Sequence, residues 1–201
     1  MNDSKMTTPE RARRSFLRKG LAWLAAVGVT LSAIPFVRSW LPSADRRIAG
    51  GPIEVDLDEI APGEQILVPW RGKPVWILRR TPEMLKYLRG SELRERLLDP
   101  QSEEDQQPAY ASNELRSIRP DILVVIGICT HLGCIPKFHP EIGEVRFDAR
   151  WPGGYFCPCH NSKFDLAGRV FKNVPAPLNL AIPPYRFTEN NTVIIGENPV
   201  S

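Results

Sequence analysis

All four cysteines of this 201-residue chain lie in two short boxes, together with two of its three histidines. The first box reads Cys129-Thr130-His131-Leu132-Gly133-Cys134, the second Cys157-Pro158-Cys159-His160-Asn161-Ser162. Thiols and imidazoles gathered in this way point to a metal site held by two loops, with Cys129 and His131 from one and Cys157 and His160 from the other. Whatever fold the chain takes must bring those loops together. The remaining cysteines, Cys134 and Cys159, sit at outer positions from which they could join the loops.

Two thiolates and two imidazoles suit a structural zinc. Zinc loops, however, place the ligands of a pair two to four residues apart, whereas a single residue separates Cys129 from His131. Zinc also gives no reason for a second cysteine in each box. A 2Fe–2S cluster accounts for both facts, with two Cys on one iron and two His on the other, as in a Rieske centre. The alternative, a binding or structural module holding zinc, would be colourless.

The paired motif Cys-Thr-His-Leu-Gly-Cys and Cys-Pro-Cys-His-x-Ser resembles the Rieske iron–sulfur subunits of the ubiquinol–cytochrome c reductase (cytochrome bc) complex. Rieske ferredoxins and ring-hydroxylating oxygenases share the Cys-x-His and Cys-x-x-His ligands but lack the outer cysteine pair. The resemblance covers roughly residues 57–196. It implies that Cys129 and Cys157 are the thiolates on the buried iron. His131 and His160 would bind the outer iron through Nδ1, leaving Nε2 facing out. Cys134 and Cys159 would form a disulfide clamping the loops.

Val174-Pro175-Ala176-Pro177-Leu178 resembles the proline-rich loop that covers the cluster in this family; a plain rigid connector is the other reading. Leu132, with His131 and His160, would form the tip that docks beside the quinol, the alternative for Leu132 being a buried loop leucine. High-potential members carry Ser and Tyr at the positions of Ser162 and Phe164. Ser162 can donate a hydrogen bond to the cluster, but Phe164 has no hydroxyl, which implies a lower potential. His139 falls outside both boxes and reads as an ordinary surface or loop residue.

The implied function is electron transfer within a respiratory quinol–cytochrome c oxidoreductase. The partners are a cytochrome b subunit, a c-type cytochrome subunit, ubiquinol and membrane lipid, in a dimeric complex. The alternative is the Rieske small subunit of an arsenite-oxidase-like molybdenum enzyme, and co-purification with b- and c-type haem separates the two.

The N-terminal region reads as a targeting and anchoring segment. Residues 1–41 hold seven Lys/Arg and two Asp/Glu, net +5, while the remainder holds 19 Lys/Arg and 21 Asp/Glu, net −2. The body is therefore slightly acidic and nothing suggests nucleic-acid binding. Ala12-Arg13-Arg14-Ser15-Phe16-Leu17-Arg18 resembles a twin-arginine export signal, with Ala12 where Ser or Thr is usual; the plainer reading is a basic flank. Gly20–Val37 is an uncharged run of 18 residues. At 1.5 Å per residue it reaches about 27 Å, close to the thickness of a hydrocarbon core. Trp23 and Trp40 suit its two interfaces, and the excess of Lys/Arg before the run places the N-terminus in the cytoplasm. The expected arrangement is an uncleaved single-pass anchor in the cell inner membrane, with the head in the periplasm.

The boundaries expected are a cytoplasmic segment over residues 1–19, a transmembrane anchor over 20–41, and a flexible hinge with the lead into the first strand over 42–56. A Rieske 2Fe–2S domain follows over 57–201, its cluster-binding part at about 127–180. Within the body, Ile53, Val55 and Leu57 alternate with acids, as in a half-buried strand. Gln65–Trp70 and Pro74–Arg79 flank Arg71-Gly72-Lys73 as a hairpin. Thr81-Pro82-Glu83 starts a helix whose leucines run to about Leu98, with Gly90 as its weak point. Ser102–Asn113 reads as an exposed loop. Ile122–Ile126 is a buried strand feeding Cys129. Further strands are expected at Gly143–Asp148, Gly154–Phe156, Val170-Phe171, Tyr185–Phe187 and Val193–Ile195. The fold class is mostly β: an antiparallel Rieske-type head with a small cluster-binding subdomain and one inserted helix, tethered to a single N-terminal transmembrane helix.

Overall fold

The structure, a computed structural model, describes residues 8–40 and 50–199, and falls into two compact units divided after Arg47. Of the hinge and strand entry expected over 42–56, residues 42–49 lie outside the described residues. The first unit is helix α1, Thr8–Trp40, 33 residues long. It extends well before the uncharged run, so Arg13 and Arg14 sit on the same helix as the apolar stretch. Residues 9–40 reach a mean hydropathy of 1.9 over an 18-residue window, long and apolar enough to cross a membrane. The hydroxyls of Thr30 and Ser32 donate back to the carbonyls of Ala26 and Gly28, which satisfies them without water.

The second unit is built on antiparallel sheets. Strand β1 (Ile53–Asp56) pairs with β11 (Thr192–Ile195), which pairs with β10 (Tyr185–Phe187). Strands β2 (Gln65–Trp70), β3 (Lys73–Arg79) and β4 (Ile122–Ile126) form a second sheet in that order. The β2–β3 turn uses Arg71 and Gly72, both at positive φ, as a tight two-residue hairpin requires. The third sheet joins β5 (Lys137–His139), β8 (Gly154–Phe156) and β9 (Lys163–Asp165), with β8 in the centre. Strands β6 (Gly143–Val145) and β7 (Asp148–Trp151) make a separate hairpin where one strand was expected.

The inserted helix is two helices, α2 (Pro82–Leu88) and α3 (Ser91–Arg96). The Thr81 hydroxyl caps α2 by accepting the Met84 N–H, and Pro82 fills its first turn. Met84 and Leu88, four apart, are buried. Continuing that face at helical spacing would present Ser91, Glu92 and Glu95 to the core. The break at Gly90, which takes an extended conformation, resets the phase so that Leu93 and Leu97 are buried instead. Residues 102–113 are not simply an exposed loop either: Ser102 and Ala111 are fully buried, and Ala109–Ala111 forms a turn of 3-10 helix.

All five residues of β4 are buried. The strand lies along β3 from Ile122 opposite Arg79 to Ile126 opposite Val75. It thus delivers the chain from the core of the base directly to Cys129 at the tip. Trp76 of β3 stacks on Tyr155 of β8, ring centroids 4.8 Å apart, tying the base to the third sheet. The fully buried Asp165–Arg169 ion pair at 2.7 Å completes that link, because Arg169 also donates to the carbonyls of Leu88 and Pro100.

Candidate metal centre

The two boxes form the same turn twice. In loop 1 the Cys129 N–H donates to the Cys134 carbonyl at 2.8 Å and the Gly133 N–H to the Cys129 carbonyl at 3.0 Å. In loop 2 the Cys157 N–H donates to the Ser162 carbonyl at 2.8 Å and the Asn161 N–H to the Cys157 carbonyl at 2.9 Å. The fifth residue of each turn takes a positive φ, 82° at Gly133 and 63° at Asn161. Glycine and asparagine enter that region at the lowest cost, which is the local reason these boxes can close. The turns place Cys129 and Cys157 in the interior, at 2% and 1% exposure.

Three fastenings hold the loops to one another and to the proline-rich segment. A disulfide joins Cys134 of loop 1 to Cys159 of loop 2. The Thr130 hydroxyl donates to the Leu178 carbonyl at 2.6 Å, tying loop 1 to the proline-rich segment. The Ala176 N–H donates to the Ser162 hydroxyl oxygen at 3.1 Å, tying that segment to loop 2. Ala176 is buried, whereas Pro175 and Pro177 face solvent. Thr130 did not stand out in the sequence, although a hydroxyl between a cysteine and a histidine was the available signal.

Cys129 and Cys157 lie side by side, and the backbone N–H of His131 and the hydroxyl of Ser162 both address the Cys129 sulfur. Burial pushes the Cys129 thiol up from its ordinary value, and the Cys157 thiol adds to this; the His131 N–H and Ser162 hydroxyl act in the opposite sense. Outside them stand His131 and His160, ring centroids 4.7 Å apart and planes near perpendicular at 89°. His131 is half-buried and His160 exposed. Two buried thiols side by side, backed by two imidazoles toward solvent, form a donor set that fits a 2Fe–2S cluster. Cys157 also lies within 4.8 Å of Cys134 and Cys159, sulfur to sulfur. The latter two are bonded to each other and have no thiolate to offer a metal.

Leu132 is 71% exposed beside the histidines, and Ile135, which the sequence reading passed over, is 56% exposed just after the loop. Phe164 is fully buried on β9, opposite Tyr155. His139 is half-buried against Phe147, with Nδ1 3.5 Å from Glu141. A second charged cluster braces the centre from the side: the Asp148 carboxylate accepts from Arg96 at 2.6 Å and Lys163 at 3.0 Å. Burial works to raise the pKa of Asp148, but the Arg150 N–H, Lys163 and Arg96 outweigh it and hold the carboxyl below its usual range.

Residues 104–184 match the family model of the Rieske [2Fe-2S] domain, which agrees with the donor set and places the chain in the class of Rieske iron–sulfur proteins. The chain is 50% identical over 188 residues to the ubiquinol–cytochrome c reductase iron-sulfur subunit of Allochromatium vinosum, covering 94% of this chain and 90% of that one. It is 43% identical over 187 residues to the subunit of the same name from Rhodospirillum rubrum, covering 93% of each. A chain of a solved structure titled hyperthermophilic respiratory Complex III aligns at 25% identity and a TM-score of 0.46, covering 89% of this chain and 98% of that one. The chain belongs to the family of ubiquinol–cytochrome c reductase iron–sulfur subunits, components of an oxidoreductase complex.

Proposed function

We propose that this chain carries electrons from ubiquinol, at a cytochrome b subunit, to a c-type cytochrome subunit. The observation that carries the reading is the layering of the tip: two buried thiols, two adjoining imidazoles toward solvent, and exposed Leu132 at their side. In this reading Cys129, Cys157, His131 and His160 hold the cluster, which when bound supplies a one-electron site whose potential is raised by imidazole ligation. The protein's own groups do the rest. An imidazole nitrogen facing out, Nε2 of His131 or His160, holds a hydrogen bond to the quinol hydroxyl and takes its proton. Leu132 offers the quinol pocket an apolar contact. The disulfide and the two hydroxyl fastenings hold the loops together around the buried Cys129 and Cys157.

The same reading places α1 across the inner membrane, N-terminus cytoplasmic, and the head in the periplasm, where a disulfide persists. Arg13 and Arg14 would then serve as a twin-arginine signal. Residues 42–49 would act as the hinge. The head would begin at Gly50, whose carbonyl accepts from Arg71, and at β1, which is paired to β11. Protons released on the outer side would add to the membrane gradient, in a complex expected to be dimeric. The 50% identity over 94% of the chain supports this reading above a molybdenum-enzyme small subunit.

The test is purification of the membrane complex. Co-purified b- and c-type haem, quinol-dependent reduction of the c-type haem, and its loss on His160→Ala are the expected results. A complex holding a molybdenum subunit and no b-type haem would overturn the reading.

A further inference from the structure

The sulfur of Cys157 lies within 4.8 Å of both sulfurs of the Cys134–Cys159 disulfide. A free thiol and a disulfide this close are the two partners of thiol–disulfide exchange, which needs no oxidant. The three cysteines differ in exposure: Cys157 is buried, Cys134 half-buried and Cys159 exposed.

We propose that, when the cluster is lost, Cys157 attacks the disulfide at Cys134, forming a Cys134–Cys157 bond and releasing Cys159, and that the rearranged site can no longer be loaded. The proposal rests on Cys157 being a ligand, since a thiolate bound to iron is not free to attack. The step balances. The Cys157–Cys134 bond forms as the Cys134–Cys159 bond breaks, and the electron pair of the broken bond leaves on Cys159. The proton given up by the Cys157 thiol passes to solvent, and solvent protonates Cys159. Nothing is oxidised or reduced overall.

The exposures give the direction. Exchange moves the free thiol from an interior position to one in water, where the leaving thiolate is hydrated. Attack at Cys159 instead would close a disulfide across Pro158 alone, whose ring fixes φ and works against the S–S geometry. Direct bonding between Cys157 and its other neighbour, Cys129, with the native disulfide left intact would need an external oxidant; a Cys129–Cys157 bond can form only by a second exchange, after the first. In the folded turn the Cys157 N–H and carbonyl are held by Ser162 and Asn161, so the attack also requires loop 2 to relax. The consequence concerns assembly: Cys157 must be bound to iron before the disulfide closes, or the disulfide acquires the wrong partner.

The experiment strips iron from the loaded membrane complex with a chelator, without oxygen, and alkylates samples at intervals before peptide mapping without reductant. The expected result is a rise of about tenfold or more, over the loaded complex, in chains linking Cys134 to Cys157 with the label on Cys159. Recovery of the cluster with iron and sulfide should fall in step and return after treatment with a thiol reductant. A Cys134–Cys159 link that persists throughout, with Cys157 labelled and reloading undiminished, overturns the exchange. The Cys157→Ser variant should keep the native link; if it does not accumulate, the time course of the natural chain decides. Labelling of Cys157 as fast in the loaded complex as in the stripped one would instead sink the ligand assignment, and the exchange with it.

Discussion

Loops 1 and 2 share a backbone and differ in nearly every side chain that matters. Both begin with a buried cysteine and close with the same pair of backbone hydrogen bonds. The histidine is third in loop 1 and fourth in loop 2, and the sixth residue is a disulfide cysteine in one and a buried serine in the other. The serine does for loop 2 what Thr130 does for loop 1, binding it to the proline-rich segment. The turn is a device for presenting one thiol inward, and the other side chains are free to take separate tasks: clamp, fastening or exposed imidazole.

The equivalence of the first positions is the boldest part of that comparison. Cys129→Ala and Cys157→Ala should each abolish the cluster completely, as should His131→Ala and His160→Ala. A normal rhombic paramagnetic resonance signal in any of the four would break the pairing of the loops. The next effect is smaller and one-sided. Cys134→Ser should leave a cluster that assembles but is lost readily, since a disulfide typically contributes about 2–4 kcal/mol. Thermal loss of visible absorption, compared with the natural protein, measures it.

The fifth positions sharpen the comparison further. Gly133 has open space around its Cα, so Gly133→Ala tests the positive φ alone. It and Asn161→Ala should each cost about 1 kcal/mol of stability, while Asn161→Gly should change it little. Unequal costs would show that the two turns are not held to the same backbone by the same means.

The smallest effect concerns tuning. Ser162→Ala should lower the reduction potential by removing a donor from the Cys129 sulfur. Phe164→Tyr should raise it: if about 1 kcal/mol of the new hydrogen bond differs between redox states, the shift is about 40 mV for one electron. Protein-film voltammetry reads both. A potential unmoved by Phe164→Tyr, with the hydroxyl shown to reach sulfur, counts against tuning by that bond.

The site was more legible in the sequence than the fold around it. Metal ligation demands particular atoms, so Cys129, His131, Cys157 and His160 stand out as candidate ligands by residue type. The buried strand Ile122–Ile126 was equally plain, because a continuous apolar run has few other uses. The helical insertion was read as one helix and is two, since its leucines fit neither a single phase nor an obvious break apart from Gly90. Arg96 and Asp148 gave no sign of meeting, because ordinary surface charges carry no record of their partners.

The sequence by itself determined the chemistry: which sulfurs and imidazoles are available, that two loops must converge, and that an apolar N-terminal stretch is long enough to cross a membrane. Tertiary structure decided the layering. Packing of β4 against β3 and of Trp76 against Tyr155 sets the two loops side by side. That placement turns Cys129 and Cys157 inward and leaves His160 and Leu132 outside. It also sets Cys157 beside the disulfide it does not belong to. Those relations join residues far apart in the chain, and they exist only because burial of the shared core holds the separate segments together.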